Sequence, residues 1–425
     1  MASITSLSPS QIAALPTSSI AALSTANIAL LTTAQAAALT SIQLPALGTA
    51  GVVALGTTFD SLSTTGLSGL TSAEAAAIGT GAVAGLASNQ IAALSSAALG
   101  GIGTNFSAIT TSALAGLTTS QISNLTTTDI AAITSGQAGV LTSAQVKGLT
   151  SADFAKLTNA AVTALTVGAV GALTTATLSG LTTGQAAVLG TAQVAALGSS
   201  QVAVLGAANV SALSTNADSL TNGAVAGLTS AEAAALGTGA LAGLVSGQLA
   251  ALTTAAVSNL GGTFSAVTTT ALAGLSSTQV AALSTAAVAG LGTNVSALSS
   301  TQLGGLSSTQ VAALGTTLLN LQPIQFSYLT TKGIGGLTSA AVSSLTTADV
   351  TSLTTAQIAS LTTAEISALG STQITAFTSA QIQALTTVEI HAITPGQLGY
   401  LTNSQVQDLT GTQLAAMSSA QLNAL

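Results

Sequence analysis

The stretch "LTTAQIASLTTAEISAL", residues 353–369, is one eight-residue phrase written twice. A period of eight fits neither the 3.6 of a helix nor the 2 of a strand. A continuous helix would carry its leucine about 80° further round with each unit, off any one face within a few units. A continuous strand fails for another reason. With the leucine as position 1, apolar residues fall at positions 1, 6 and 9, and the odd intervals would swap them between faces. Each unit must therefore contain a turn.

The phase holds from Leu7 to Leu425, as 53 consecutive units. Six have seven residues, beginning at Leu55, Ile102, Leu213, Leu260, Leu291 and Leu314; the other 47 have eight. No linker or change of composition interrupts them, so the expected organisation is a single continuous repeat array over 1–425. A longer echo overlies the short one: "LTSAEAAAIGTGAVAGL" (70–86) returns as "LTSAEAAALGTGALAGL" (228–244), the mark of a duplicated block.

The chemistry of the unit locates its turn. Position 2 is almost always Thr, Ser or Gly, residues that suit a helix N-cap. Position 5 is Gln in 22 of the 47 full units, Glu in four and Asp in three. Thr-x-x-Gln/Glu is a capping box, and the apolar residues at positions 1 and 6 then stand at the two ends of a hydrophobic staple. Seven acids (Glu74, Asp129, Asp153, Glu232, Asp349, Glu365 and Glu389) occupy position 5, in the first turn, where the helix dipole favours negative charge. Lys147 and Lys156 stand at positions 7 and 8, near the other end. Pro9, Pro323 and Pro395 all fall at position 3, the first helical residue, where proline fits best.

The unit thus reads as a capped helix of about a turn and a half with a tight corner at the next leucine. Such a helix is too short to survive alone. It persists by stacking positions 1 and 6 against neighbouring units, with Gly and Ala at positions 4 and 8 allowing close approach. The predicted fold is an all-α solenoid of very short helices, one per repeat. Pro45 at position 7 and Pro16 at the cap position sit awkwardly in it. The Thr, Val and Ile content also suits strands, and a β-solenoid with two repeats per coil is the alternative. In either fold the short units are local adjustments of pitch. Phe59, Phe106 and Phe264 lie in such units, as fillers of a gap.

Composition narrows the function. Charged residues are 3% of the chain, the only cations are three lysines, and the net charge is −7, so nucleic acid lacks the basic surface it needs. Polar residues interrupt every eight-residue stretch, which excludes an integral membrane protein. Catalysis finds no constellation: His391 is the only histidine, there is no cysteine, and the acids recur at repeat spacing rather than as a close pair. "GTGAVAG" (79–85) and "GTGALAG" (237–243) resemble glycine-rich phosphate loops only in their looser form and are ordinary units in phase. No enzyme activity, cofactor or metal site is expected.

The "LTxxQ" phrase, as in "LTTAQIASL" (353–361) and "LTSAQVKGL" (141–149), resembles octapeptide stretches of large Ala/Thr-rich bacterial surface or secreted proteins, often labelled adhesins or haem-utilisation proteins. One His and two Met are a poor supply of haem ligands. The resemblance implies an extracellular or cell-surface structural role. The opening "MASITSLSPSQIAALP" lacks the basic and continuous apolar regions of a secretory signal. Both ends are ordinary units without charged caps, which points to head-to-tail self-assembly into a fibre or matrix; a stretch cut from a longer array would look the same. Candidate interface residues are Leu7, Ile12 and Leu15 at one end and Met417, Leu422 and Leu425 at the other. The alternative function is an adhesin stalk, or a repeat module binding a ligand, ice or carbohydrate. Far-UV circular dichroism separates the folds: a dominant helical signal is expected, and a single broad β-type minimum would remove the helical reading.

Overall fold

The computed structural model describes residues 4–425, and among them every full unit makes one short α-helix of four to seven residues. The six seven-residue units instead form six 3-10 helices, from Gly56–Ser61 to Gly315–Asn320. No strand occurs among the described residues, so the fold is an all-α solenoid of short helices. The residues gather into two compact units, Met1–Ala224 and Val225–Leu425, each built in the same way.

Each helix starts where its cap stops the extended chain. Thr182 (φ −87°, ψ 157°) precedes Thr183–Ala186, and Thr354 (φ −72°, ψ 158°) precedes Thr355–Ile358. Pro9, Pro323 and Pro395 open their helices at the first residue. The two awkward prolines are accommodated locally. Pro16 serves as an N-cap with extended backbone and no side-chain bond, and Thr17–Ala21 follows normally. Around Pro45 the helix begins late, as Gln43–Ala46, so the proline lies in the first turn where its missing N–H is not needed.

The unit 141–148 shows how the faces divide. Leu141, Gln145, Val146 and Gly148 are buried; Thr142, Ser143, Ala144 and Lys147 are exposed. Positions 1 and 6 fill the interior along each compact unit, and burying two aliphatic side chains per eight residues contributes about 1.5–3 kcal/mol for each of them. Phe59, Phe106 and Phe264 join that interior from the short units, as fillers. Helices stack on the helix three units away: Thr127–Ala131 on Ser151–Lys156, Thr363–Ala368 on Thr387–Ala392.

Close approach falls at position 8 and not at position 4, which faces solvent. Gly180 packs so tightly on the previous coil that a Cβ there would overlap the Ser151 carbonyl, and Gly116 meets Ser88 in the same way. In the short units position 2 is not a cap. Gly103 turns the chain with φ +60° and Gly315 with φ +52°, a conformation that costs a side chain little only in glycine. Ser214 makes the same turn with φ +54°. The turn starts a tighter 3-10 helix that needs one residue fewer, so the short unit fits the stack.

Gly180→Ala should therefore cost at least the 1–3 kcal/mol typical of overpacking. Gly81→Ala, in a helix where a Cβ meets nothing, should be neutral or stabilising by roughly 0.5–1 kcal/mol. Urea titration of both variants checks the contrast in sign.

Candidate functional site

The polar chemistry of the repeat is concentrated at position 5. Gln185 is buried, at 1% exposure. Its backbone N–H donates to Thr182 Oγ1 at 3.2 Å, and its Oε1 accepts from the Thr182 N–H at 3.0 Å, completing the capping box. The other half of the amide turns away from its own helix. Nε2 donates to the Phe154 carbonyl at 2.7 Å and the Leu157 carbonyl at 2.8 Å, 31 and 28 residues earlier. Gln357 repeats this on Phe326 and Leu329 at 2.8 and 2.6 Å, and Gln413 on Ile382 and Leu385 at 2.7 and 2.8 Å. A reach of 28 residues is three and a half units. Each glutamine thus joins the start of its helix to the corner lying beneath it in the previous coil.

Where the cap has no hydroxyl, the glutamine still works. Ala87 and Val245 donate their N–H to Gln90 Oε1 at 2.7 Å and Gln248 Oε1 at 2.8 Å. Where a short unit intervenes the reach drops by one: Gln121 bonds to Leu94, 27 residues back, and Gln302 to Leu275. The ladder therefore counts units and not residues. Other side chains supply rungs that the sequence reading missed. Thr177 Oγ1 donates to the Leu149 carbonyl at 2.7 Å. Asn105 and Asn216, within the short units, donate Nδ2 to the Ile78 and Leu189 carbonyls at 2.9 Å. Their signal was the Asn recurring in "GTNF" and "STNA".

At Asp129, Glu365 and Glu389 the capping half of this arrangement is kept. Thr126, Thr362 and Thr386 donate their N–H to Asp129 Oδ2, Glu365 Oε2 and Glu389 Oε2 at 2.8, 2.6 and 2.6 Å. The second oxygens, Asp129 Oδ1, Glu365 Oε1 and Glu389 Oε1, are buried without a hydrogen-bond partner. Burial pushes all three carboxyls above the usual carboxylate range, opposed by the bonds from Thr126, Thr362 and Thr386. The Gly103 and Leu337 N–H groups add smaller opposition at Asp129 and Glu365.

Elsewhere little chemistry is assembled. Among the described residues no group of three or more His, Cys, Asp or Glu is positioned to hold a metal. No helix of the described residues is long and apolar enough to cross a membrane. His391 is exposed on Thr387–Ala392, beside a shallow groove that includes Val388 and Ser367. "GTGAVAG" and "GTGALAG" form the helices Thr80–Gly85 and Thr238–Gly243, in phase with their neighbours. Of the candidate interface residues, Ile12 and Met417 are buried in their own coils, Leu7 and Leu15 are half-buried, and Leu422 and Leu425 are exposed.

Residues 353–387, which include "LTTAQIASLTTAEISAL", match the family model described as the ALTTAQ repeat. No curated protein and no solved structure matches the chain. The chain is a helical tandem-repeat protein.

The ladder ranks the side chains of one unit. Gln185→Leu leaves the Thr182 N–H and the Leu157 carbonyl without a partner, while the Phe154 carbonyl keeps the Leu157 N–H, and should cost about 2–4 kcal/mol, at 1–3 kcal/mol per buried orphan with partial relaxation. Thr182→Ala removes one cap bond and should cost about 1 kcal/mol. Denaturant midpoints of the two variants give the order, and an equal or reversed order would remove the ladder from the stabilising role assigned to it.

Proposed function

We propose that this protein is a structural element that self-associates head to tail into a fibre or matrix outside the cell or on its surface. The observation that carries the reading is the two-sided coil. Side-chain amides leave each coil on one side and main-chain carbonyls receive them on the other. A contact of this kind is as available to a second copy as to the next coil of the same chain. Donor side and acceptor side differ, so the contact is heterologous, and one that does not close into a ring grows as an open filament. A chain with only 3% charged residues offers little repulsion against it.

The extracellular setting rests on the resemblance to Ala/Thr-rich bacterial surface proteins and on the absence of cysteine, arginine and tryptophan. The reading assigns no catalysis, no cofactor and no nucleic-acid partner. Negative-stain microscopy and light scattering of the purified chain over a range of concentrations test it. Long polymers of uniform width are expected. A parent chain that stays monodisperse at high concentration overturns the filament and leaves the stalk or ligand-presenting array.

A further inference from the structure

In a glutamine unit the two ends of the side-chain amide have separate tasks: Oε1 accepts from the cap N–H and Nε2 donates to two carbonyls of the previous coil. Glu365 and Glu389 divide their carboxylates along the same line. In each, Oε2 holds the cap N–H while Oε1 is buried and unpartnered, in the place where the glutamine carries its donor. Asp129 repeats the arrangement with Oδ2 and Oδ1. Counted back by the glutamine reach of 31 and 28 residues, the carbonyls at this level are those of Ile334 and Leu337 for Glu365, and of Ile358 and Leu361 for Glu389; the Leu337 and Gly103 N–H groups also approach the Glu365 and Asp129 carboxylates. An ionised carboxylate can only accept, so it has nothing to give those carbonyls; a protonated one has an O–H.

We propose that Asp129, Glu365 and Glu389 are proton-binding rungs of the ladder: protonated, each donates its O–H to the coil beneath as glutamine does, and ionised, each sets a negative charge against main-chain carbonyls and loosens that contact. The coils become acid-tightened at these places. The helix of Glu365 packs on Ser339–Ser343, without a titratable group, and on Thr387–Ala392, with Glu389 and the exposed His391, while Thr331–Ile334, at its register in the previous coil, carries the exposed Lys332. The Glu389 helix lies between Thr363–Ala368, with Glu365, and Gly411–Ala416, with none. The Asp129 helix packs on Gly103–Ala108, with none, and on Ser151–Lys156, with Asp153 and Lys156.

The direction of the pH effect follows from the burial of these carboxyls. Below about pH 4 folded and unfolded chains both hold the protons. As pH rises the unfolded chain releases them first, because burial holds the folded carboxyls above the usual range, so the folded state binds more protons and stability falls with rising pH.

The test uses the full chain and the double variant Glu365→Gln with Glu389→Gln, which installs the commonest residue at this position of the repeat. Thermal melts run from pH 3.5 to 7.5, alongside infrared difference spectra that report the protonated carboxyl stretch. The variant should melt a few degrees above the parent at pH 7, the gap should close at pH 3.5, and the carboxyl band should persist in the parent above the range of an exposed glutamate. A gap that is absent, or unchanged across the pH range, overturns the proposal. So does a parent that gains the missing stability at pH 7 from added sodium or calcium, since a bound cation and not a proton would then fill the site.

Discussion

The structure depends on one side-chain amide doing two things at once. A helix of four to seven residues cannot close enough internal hydrogen bonds to hold itself, and its first N–H groups are orphans from the start. The position-5 glutamine answers both shortfalls. Its oxygen holds the helix start in shape, and its nitrogen ties that start to a corner of the previous coil. Folding the unit and stacking the unit are therefore one event. Hydrophobic burial at positions 1 and 6 drives the stack together, but apolar contact is indifferent to register. The amide bonds select which corner meets which helix.

Much of this was legible in the sequence, for reasons of range. Caps, the N1 prolines and the apolar stagger are governed by partners within about five residues, so the local order of Thr, Gln and Ile spelled them out. The assignment of positions 1 and 6 to the interior holds along the chain, as Leu141, Val146, Leu353 and Ile358 show. The second task of the glutamine was hidden because its partners lie 28 and 31 residues away, and a capping box explains the residue completely without them. Position 4 was misplaced for a similar reason. Its small residues look like a packing device, but the helix turns them outward, and the contact that truly needs a missing side chain falls at position 8, at Gly116 and Gly180. Of the candidate interface residues, Ile12 and Met417 are buried in their own coils and Leu422 and Leu425 are exposed.

The seven-residue units show how the fold treats an irregularity. Losing one residue from a strictly residue-counted structure would shift every later side chain to a wrong face. Here a left-handed residue at position 2 and a 3-10 helix absorb the loss inside a single unit, and the next glutamine finds its corner 27 residues back in place of 28. The inward residue moves to position 5 in these units, where Phe106, Phe264 and Leu318 fill the interior.

The direction of the rungs has a mechanical consequence. The amide bonds run from one coil to the next, along the line in which coils are stacked. A pull on the end of such a stack loads the outermost rungs first and the rest hardly at all. The coils would part in sequence, each releasing its contour at a similar, modest force, as a zip opens and not as a rope snaps. A material made this way yields by lengthening, and each freed coil keeps the local phrases it needs to wind back on when the load is gone.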